Sequence, residues 1–274
     1  NATARTPVGR PELKGGDMAD TTVPVVGAPV WVDLASSDPA ASRAFYARLF
    51  GWTIEVNPDP QYGGYAIARI DGRDVAGIGP SQAPGAPTAW SLYIGTTDAD
   101  GLAEKVRTAG GTVVAPPFLV GDQGRMAVFQ DPTGAFISAW EPAAMIGFAT
   151  GGPGTFHWAE LSTRGMDRAI AFYAAVFGWA ANEYPMPEGP PYIRFRHGEG
   201  EVAGGMEMSP MVPAEVPSYW MAYFAVDDLD TSYRTALEAG AREMMGPTDF
   251  PGGRFAILGD PQGAVFGLHM LSRG

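Results

Sequence analysis

The 274-residue chain contains no cysteine. That excludes disulfides, thiolate nucleophiles, iron–sulfur clusters and Cys-ligated zinc together. Histidine is nearly absent: His157, His197 and His269 all lie in the second half. The first 156 residues hold neither Cys nor His, so borderline metals have almost no ligands there, while a hard ion held by carboxylates stays open. No apolar run reaches about 18 residues, so no membrane partner is expected. No segment reads as a signal peptide, and a cytoplasmic location is expected. Positive charge is scarce as well. With 18 Lys+Arg against 30 Asp+Glu the net charge is −12, which repels phosphate and excludes a nucleic-acid partner. What is present is globular: 46% hydrophobic and 18% charged residues, at a length that suits two domains.

Residues 1–23 carry Thr, Pro, Gly and charge without hydrophobic periodicity and read as a tail or leader, with Met18 a candidate original start. Beyond them the chain repeats itself. SRAFYARLFGW (42–52) is matched by AIAFYAAVFGW (169–179), 127 residues on, and Asp33-Leu34 and Ala76-Gly77 by Glu160-Leu161 and Ala203-Gly204 at the same offset. GRMAVFQDPTGA (124–135) is matched by GRFAILGDPQGA (253–264) at an offset of 129. The expected domains are therefore 24–146 and 155–273, joined by a glycine-rich linker over 147–154.

Each half is duplicated again. A strand at 30–35 leads to a helix at 39–50 stopped by Gly51; short alternating strands follow near 52–56, 64–70 and 74–79. The pattern restarts with a strand at 90–95, a helix at 98–109 and strands near 112–115, 124–130 and 135–140, the last two joined by the turn DPTG. The unit is βαβββ, present four times. Each helix covers one sheet face, which predicts an α+β architecture whose other face forms a cleft.

This layout, with FY…FGW after the first helix and DP-x-G before the last strand, resembles the vicinal oxygen chelate superfamily of glyoxalases, bleomycin-resistance proteins and extradiol dioxygenases. The resemblance implies that paired units form a cupped cleft, one per half. In enzymatic members a divalent metal is held there by His or Gln and Glu. By position those ligands fall on Trp31, Ser91 and Ser138 in the first half and on Trp158, Met221 and Gly267 in the second. A one-residue slip would replace Ser91 and Met221 by Trp90 and Trp220. None is a metal-binding residue, so no metal and no other cofactor is expected. The bleomycin-resistance branch, by resemblance, binds its drug without metal chemistry.

Strand alternation adds Asp33, Tyr93 and Trp140 to the first cleft and Glu160, Tyr223 and His269 to the second. Aromatic surface with one carboxylate suits a small aromatic ligand, and an amine on it would pair with the carboxylate. Structural readings stand beside this one. Trp52 and Trp179 are expected in the core. Trp31 and Trp158 also suit plain packing, and Asp33 and Glu160 suit pairing with Arg125 or Arg254. His157 is expected to point toward the helix and His197 to lie exposed in a turn. Asp227, Asp228 and Asp230 open a helix. The leading function is metal-free binding of an antibiotic or secondary metabolite for sequestration, carriage or resistance. The alternatives are a glyoxalase-like lyase, a cofactor-free hydroxylase or isomerase using Glu160 and His269, and a scaffold with a degenerate cleft. With both halves in one chain a monomer suffices, and a homodimer is compatible.

Overall fold

The computed structural model of the protein describes residues 25–82 and 85–271, so the expected tail lies outside the described residues. The first half runs β1 (Pro29–Ser36), α1 (Pro39–Phe50), β2 (Thr53–Val56), β3 (Ala66–Ile70), β4 (Arg73–Pro80), β5 (Ala89–Gly95), α2 (Ala99–Thr108), β6 (Thr112–Val120), β7 (Gly124–Gln130) and β8 (Phe136–Pro142). The second runs β9 (Phe156–Thr163), α3 (Met166–Phe177), β10 (Ala180–Tyr184), β11 (Tyr192–His197), β12 (Gly200–Glu207), β13 (Tyr219–Ala225), α4 (Leu229–Glu238), β14 (Arg242–Phe250), β15 (Gly253–Gly259) and β16 (Val265–Leu271). Each half is one eight-stranded sheet. The orders are β2-β3-β4-β1-β5-β8-β7-β6 and β10-β11-β12-β9-β13-β16-β15-β14, the same arrangement twice. The α+β class and the four βαβββ units are as the repeat predicts. No helix among the described residues is long and apolar enough to cross a membrane.

Local chemistry sets the elements. Asp38 caps α1 by accepting from the Ala41 N–H, Pro39 starts the helix, and Gly51 ends it at φ 70. Asp228 caps α4 in the same way through Thr231, which accounts for the acidic cluster there. The strand expected at 112–115 continues to Val120. Pro116 and Pro117 are tolerated because β6 is a sheet edge, where the pairing with β7 shifts register between Ala115 and Phe118.

Successive residues of β1 divide between two faces. Val32 and Leu34 are fully buried in the core against the helices, while Trp31 and Asp33 belong to the cup. That core is continuous through both halves. The repeated motifs build it reciprocally. The Tyr46 hydroxyl donates to Asp260 Oδ2 at 3.0 Å and the Tyr173 hydroxyl to Asp131 Oδ2 at 2.8 Å. Each FY tyrosine thus meets the DP-x-G aspartate of the other half. Trp52 and Trp179 are buried, as expected, and their indole N–H groups bond the carbonyls of Gly154 and Gly27 across the join.

Candidate functional site

The β1–β5 register sets Trp31 opposite Tyr93 and Asp33 opposite Ser91, and β8 adds Ser138 opposite Tyr93. In the second half Trp158 faces Tyr223, Glu160 faces Met221, and Gly267 faces Tyr223. Trp90 and Trp220, the residues of the slipped register, lie in the core and donate to Tyr46 and Tyr173.

A hydrogen-bonded network occupies the floor of each cup. In the first, the Trp31 indole N–H donates to the Tyr65 hydroxyl at 2.9 Å. Tyr65 and Tyr93 both donate to Asp33 Oδ2, at 3.2 and 3.0 Å. In the second, Trp158 donates to Tyr192 at 3.0 Å, Tyr192 to Glu160 Oε2 at 2.9 Å and Tyr223 to Glu160 Oε1 at 3.3 Å. The partners of Asp33 and Glu160 are therefore phenols, with Ser91 a further partner of Asp33, and not arginines. Arg125 and Arg254 pair with Asp100 and Glu141, and with Asp230 and Asp249.

Tyr65 and Tyr192 escaped the sequence reading although a signal was there: they stand 127 residues apart, like the Trp and carboxylate they join. The repeated Ala-Gly pair has its reason here too. A Cβ on Gly77 or Gly204 would lie 1.8 Å from the Tyr65 or Tyr192 hydroxyl oxygen, so glycine leaves the room that hydroxyl fills.

Burial pushes the Asp33 carboxyl up to about 6, against the opposing pull of its bonds from Tyr93, Tyr65 and Ser91. Burial also raises Glu160, opposed by Tyr192 and Tyr223. The same burial and the neighbouring carboxylates raise all four phenols, which stay neutral donors. Each floor thus holds a desolvated carboxyl fixed by two phenols, and in a cup open to a ligand such a carboxyl is an acceptor for a hydroxyl or an ammonium group.

The histidines differ from expectation. His157 was expected to point toward the helix, but a β-bulge between Phe156 and Trp158 breaks the alternation, and its ring lies 4.6 Å from that of His269. Glu160 and His269 share no hydrogen bond. His269 instead packs among His157, Phe250 and Tyr223, and burial, then His157, lowers its pKa to about 4. His197, expected in an exposed turn, is the half-buried last residue of β11 and packs over Gly27.

A divalent metal does not fit these donors. The implied ligand positions carry two indoles, two serines, a thioether and a glycine. A Cβ on Gly267 would lie 2.0 Å from the Tyr223 ring, so a ligating side chain has no room there. No group of three or more His, Asp or Glu suited to a metal occurs among the described residues. Protein purified without chelator should carry far less than one Zn, Ni, Mn or Fe per chain by elemental analysis. One ion per chain, lost on chelation together with an activity, would contradict this.

The sequence model of the Glyoxalase/Bleomycin resistance protein/Dioxygenase superfamily matches residues 28–138 and 155–268. The chain belongs to this superfamily. It is 43% identical over 249 residues to "Putative glyoxylase CFP32" of Mycobacterium tuberculosis, covering 88% of this chain and 94% of that protein. It is 41% identical over 263 residues to "Anthracycline biosynthesis protein DnrV" of Streptomyces peucetius, covering 90% and 94%. Its fold matches the Mn(II)-bound glyoxalase of Novosphingobium aromaticivorans at TM-score 0.64 and 18% identity, over 90% of this chain and 83% of that one. It also matches the 2,3-dioxygenase LapB of Pseudomonas sp. KL28 at TM-score 0.64 and 15% identity, over 90% and 93%.

Proposed function

We propose that the protein binds a small planar aromatic molecule without metal chemistry, in a superfamily cup lined by Trp and Tyr, and acts in making, carrying or resisting a secondary metabolite. One observation carries this reading: the floor where superfamily enzymes hold a metal is taken by the repeated Trp–Tyr–carboxylate–Tyr network. The relatives named for anthracycline biosynthesis support an aromatic ligand. Indole and phenol faces stack with a flat ligand for roughly 0.5–1.5 kcal/mol per contact beyond area burial. A cationic amine on the ligand would pair with the floor carboxylate and pull its pKa down.

Trp fluorescence tests the reading with a probe pair of one shape, cationic 9-aminoacridine and neutral acridone. Quenching by both is expected. Trp158→Ala should weaken both about tenfold. Glu160→Gln should weaken 9-aminoacridine about tenfold and acridone less than twofold. No quenching by either probe or by an anthracycline would sink the reading. Equal losses for both probes in Glu160→Gln would sink the amine preference.

The similarity to CFP32 favours a second reading, a glyoxalase-like lyase. In it the raised Glu160 carboxyl, held by Tyr192 and Tyr223, moves the proton. Metal-independent turnover of a hemithioacetal, lost in Glu160→Gln, would select it.

A further inference from the structure

We infer that the second cup, floored by Glu160, is the chain's single small-molecule site, and that the first cup is occupied by the chain's own connecting segment. The inference rests on the aromatic-binding reading and adds where the ligand sits.

The two floors are alike, but the walls are not. In the first cup Val30, Trp31, Tyr93 and Trp140 form a closed cluster in which Trp31 is 2% exposed. The segment between β8 and β9 seals it. The Trp140 indole N–H donates to the Met145 carbonyl at 2.8 Å, and the Phe148 N–H donates to the Val30 carbonyl at 3.0 Å. The Phe148 ring packs on Trp31 with centroids 6.3 Å apart. The seat is close, since a Cβ on Gly147 would lie 2.9 Å from the Val30 carbonyl oxygen. Across the mouth, the Tyr62 hydroxyl reaches Asp122 at 3.5 Å and covers Gly121, so the two rims touch.

Among the described residues, the side chains that make the first cup's wall and rim contacts are exchanged at the equivalent positions of the second cup. Gly189 stands 127 residues after Tyr62 and has no side chain to bridge the rims. His157 replaces Val30 and Arg194 replaces Ile67 at the same offset, and His269 replaces Trp140 at the offset of 129. The apolar wall that holds Met145 and Phe148 has become polar. Trp158, His157 and His269 are all partly exposed where Trp31, Val30 and Trp140 are buried. His269 Nε2 is buried without a hydrogen-bond partner, at the position where Trp140 satisfies the connecting segment. An aromatic ring against an indole and a polar atom at position 140 is what the first cup's occupant supplies. A ligand bearing a ring and a polar substituent would supply the same to Trp158 and His269.

The test is a calorimetric titration with 9-aminoacridine, run on the wild type, Asp33→Asn, Glu160→Gln and His269→Ala. One site per chain is expected. Affinity should fall about tenfold in Glu160→Gln, at least threefold in His269→Ala and less than twofold in Asp33→Asn. Two sites per chain, or a loss in Asp33→Asn with none in Glu160→Gln, would overturn the assignment while leaving aromatic binding intact. No binding by the wild type would overturn the aromatic-binding reading and this inference with it. Hydrogen exchange of the ligand-free protein reports on the first cup alone. The Trp140 indole N–H should exchange slowly, and rapid exchange would show that the connecting segment does not hold the cup closed.

Discussion

Asp33→Asn should stabilise the protein by about 3 kcal/mol at pH 8 and only about 1 kcal/mol at pH 4.5. The Asp33 carboxyl rises from 3.8 to about 6 on folding, chiefly through burial. The folded chain therefore binds this proton more tightly than the unfolded chain does. Between the two values the native state carries more protons, so its stability falls as pH rises through that window, and the whole cost stands above it. Asn is neutral throughout, and its amide oxygen still accepts from Tyr65 and Tyr93. His269 acts with the opposite sign. Its pKa falls from 6.5 to about 4, so its contribution is present above 6.5 and is lost as pH drops toward 4. The windows overlap between about 4 and 6, where the two slopes oppose each other and the wild-type profile flattens. Removing Asp33 uncovers the histidine slope, so the variant loses stability on acidification more steeply than the wild type. Urea unfolding from pH 4.5 to 8 measures this directly. An effect of equal size at both ends would show that burial does not perturb the carboxyl.

The fold was legible because its signals are local and occur four times. Gly51 and Gly178 stop helices, Asp-Pro-x-Gly turns recur, and the 127-residue offset aligns whole elements, so a unit read once is read again. The face assignment of Asp33, Tyr93 and Glu160 followed from alternation once the resemblance had set Trp31 and its equivalents in the cleft. What escaped depends on departures from alternation and on contacts between distant strands. The bulge at His157 adds one residue to a strand, which turns the ring toward His269, and no local sequence feature marks it. Tyr65 directly precedes, and Tyr192 opens, the third strand of its unit, 32 residues beyond the carboxylate it holds. Their repeat spacing was visible, but no periodicity says that a phenol there reaches strand one over a glycine of the intervening fourth strand. The closure of the first cup by Met145 and Phe148 was hidden for a related reason. A connecting segment rich in glycine reads as a spacer, and only the pairing with Val30 and Trp140 reveals it as an occupant.

Tyr46→Phe and Tyr173→Phe should each cost about 2–6 kcal/mol, and should cost nearly the same. Each hydroxyl is the middle member of a buried relay between the halves. The Trp90 indole donates to Tyr46 at 3.0 Å and Tyr46 donates to Asp260; the Trp220 indole donates to Tyr173 at 2.7 Å and Tyr173 donates to Asp131. Deleting the hydroxyl leaves an indole N–H and a carboxylate oxygen buried without partners, and each orphan costs about 1–3 kcal/mol. The aspartate hairpins should survive the change, because Asp260 Oδ1 still accepts from the Gln262 and Ala264 N–H groups and Asp131 Oδ1 from those of Thr133 and Ala135. The damage therefore falls on the join between halves, and unfolding of either variant should lose cooperativity as the halves begin to melt separately. The two relays share no residue, so the double variant should cost the sum of the singles to within about 0.5 kcal/mol. Tyr46→Phe combined with Asp260→Asn should instead show coupling, because those two residues are partners. Denaturation curves of these four variants and of Asp260→Asn alone decide this. Single costs below about 1 kcal/mol would mean that the relays do not hold the halves together, and that the continuous apolar core does so alone.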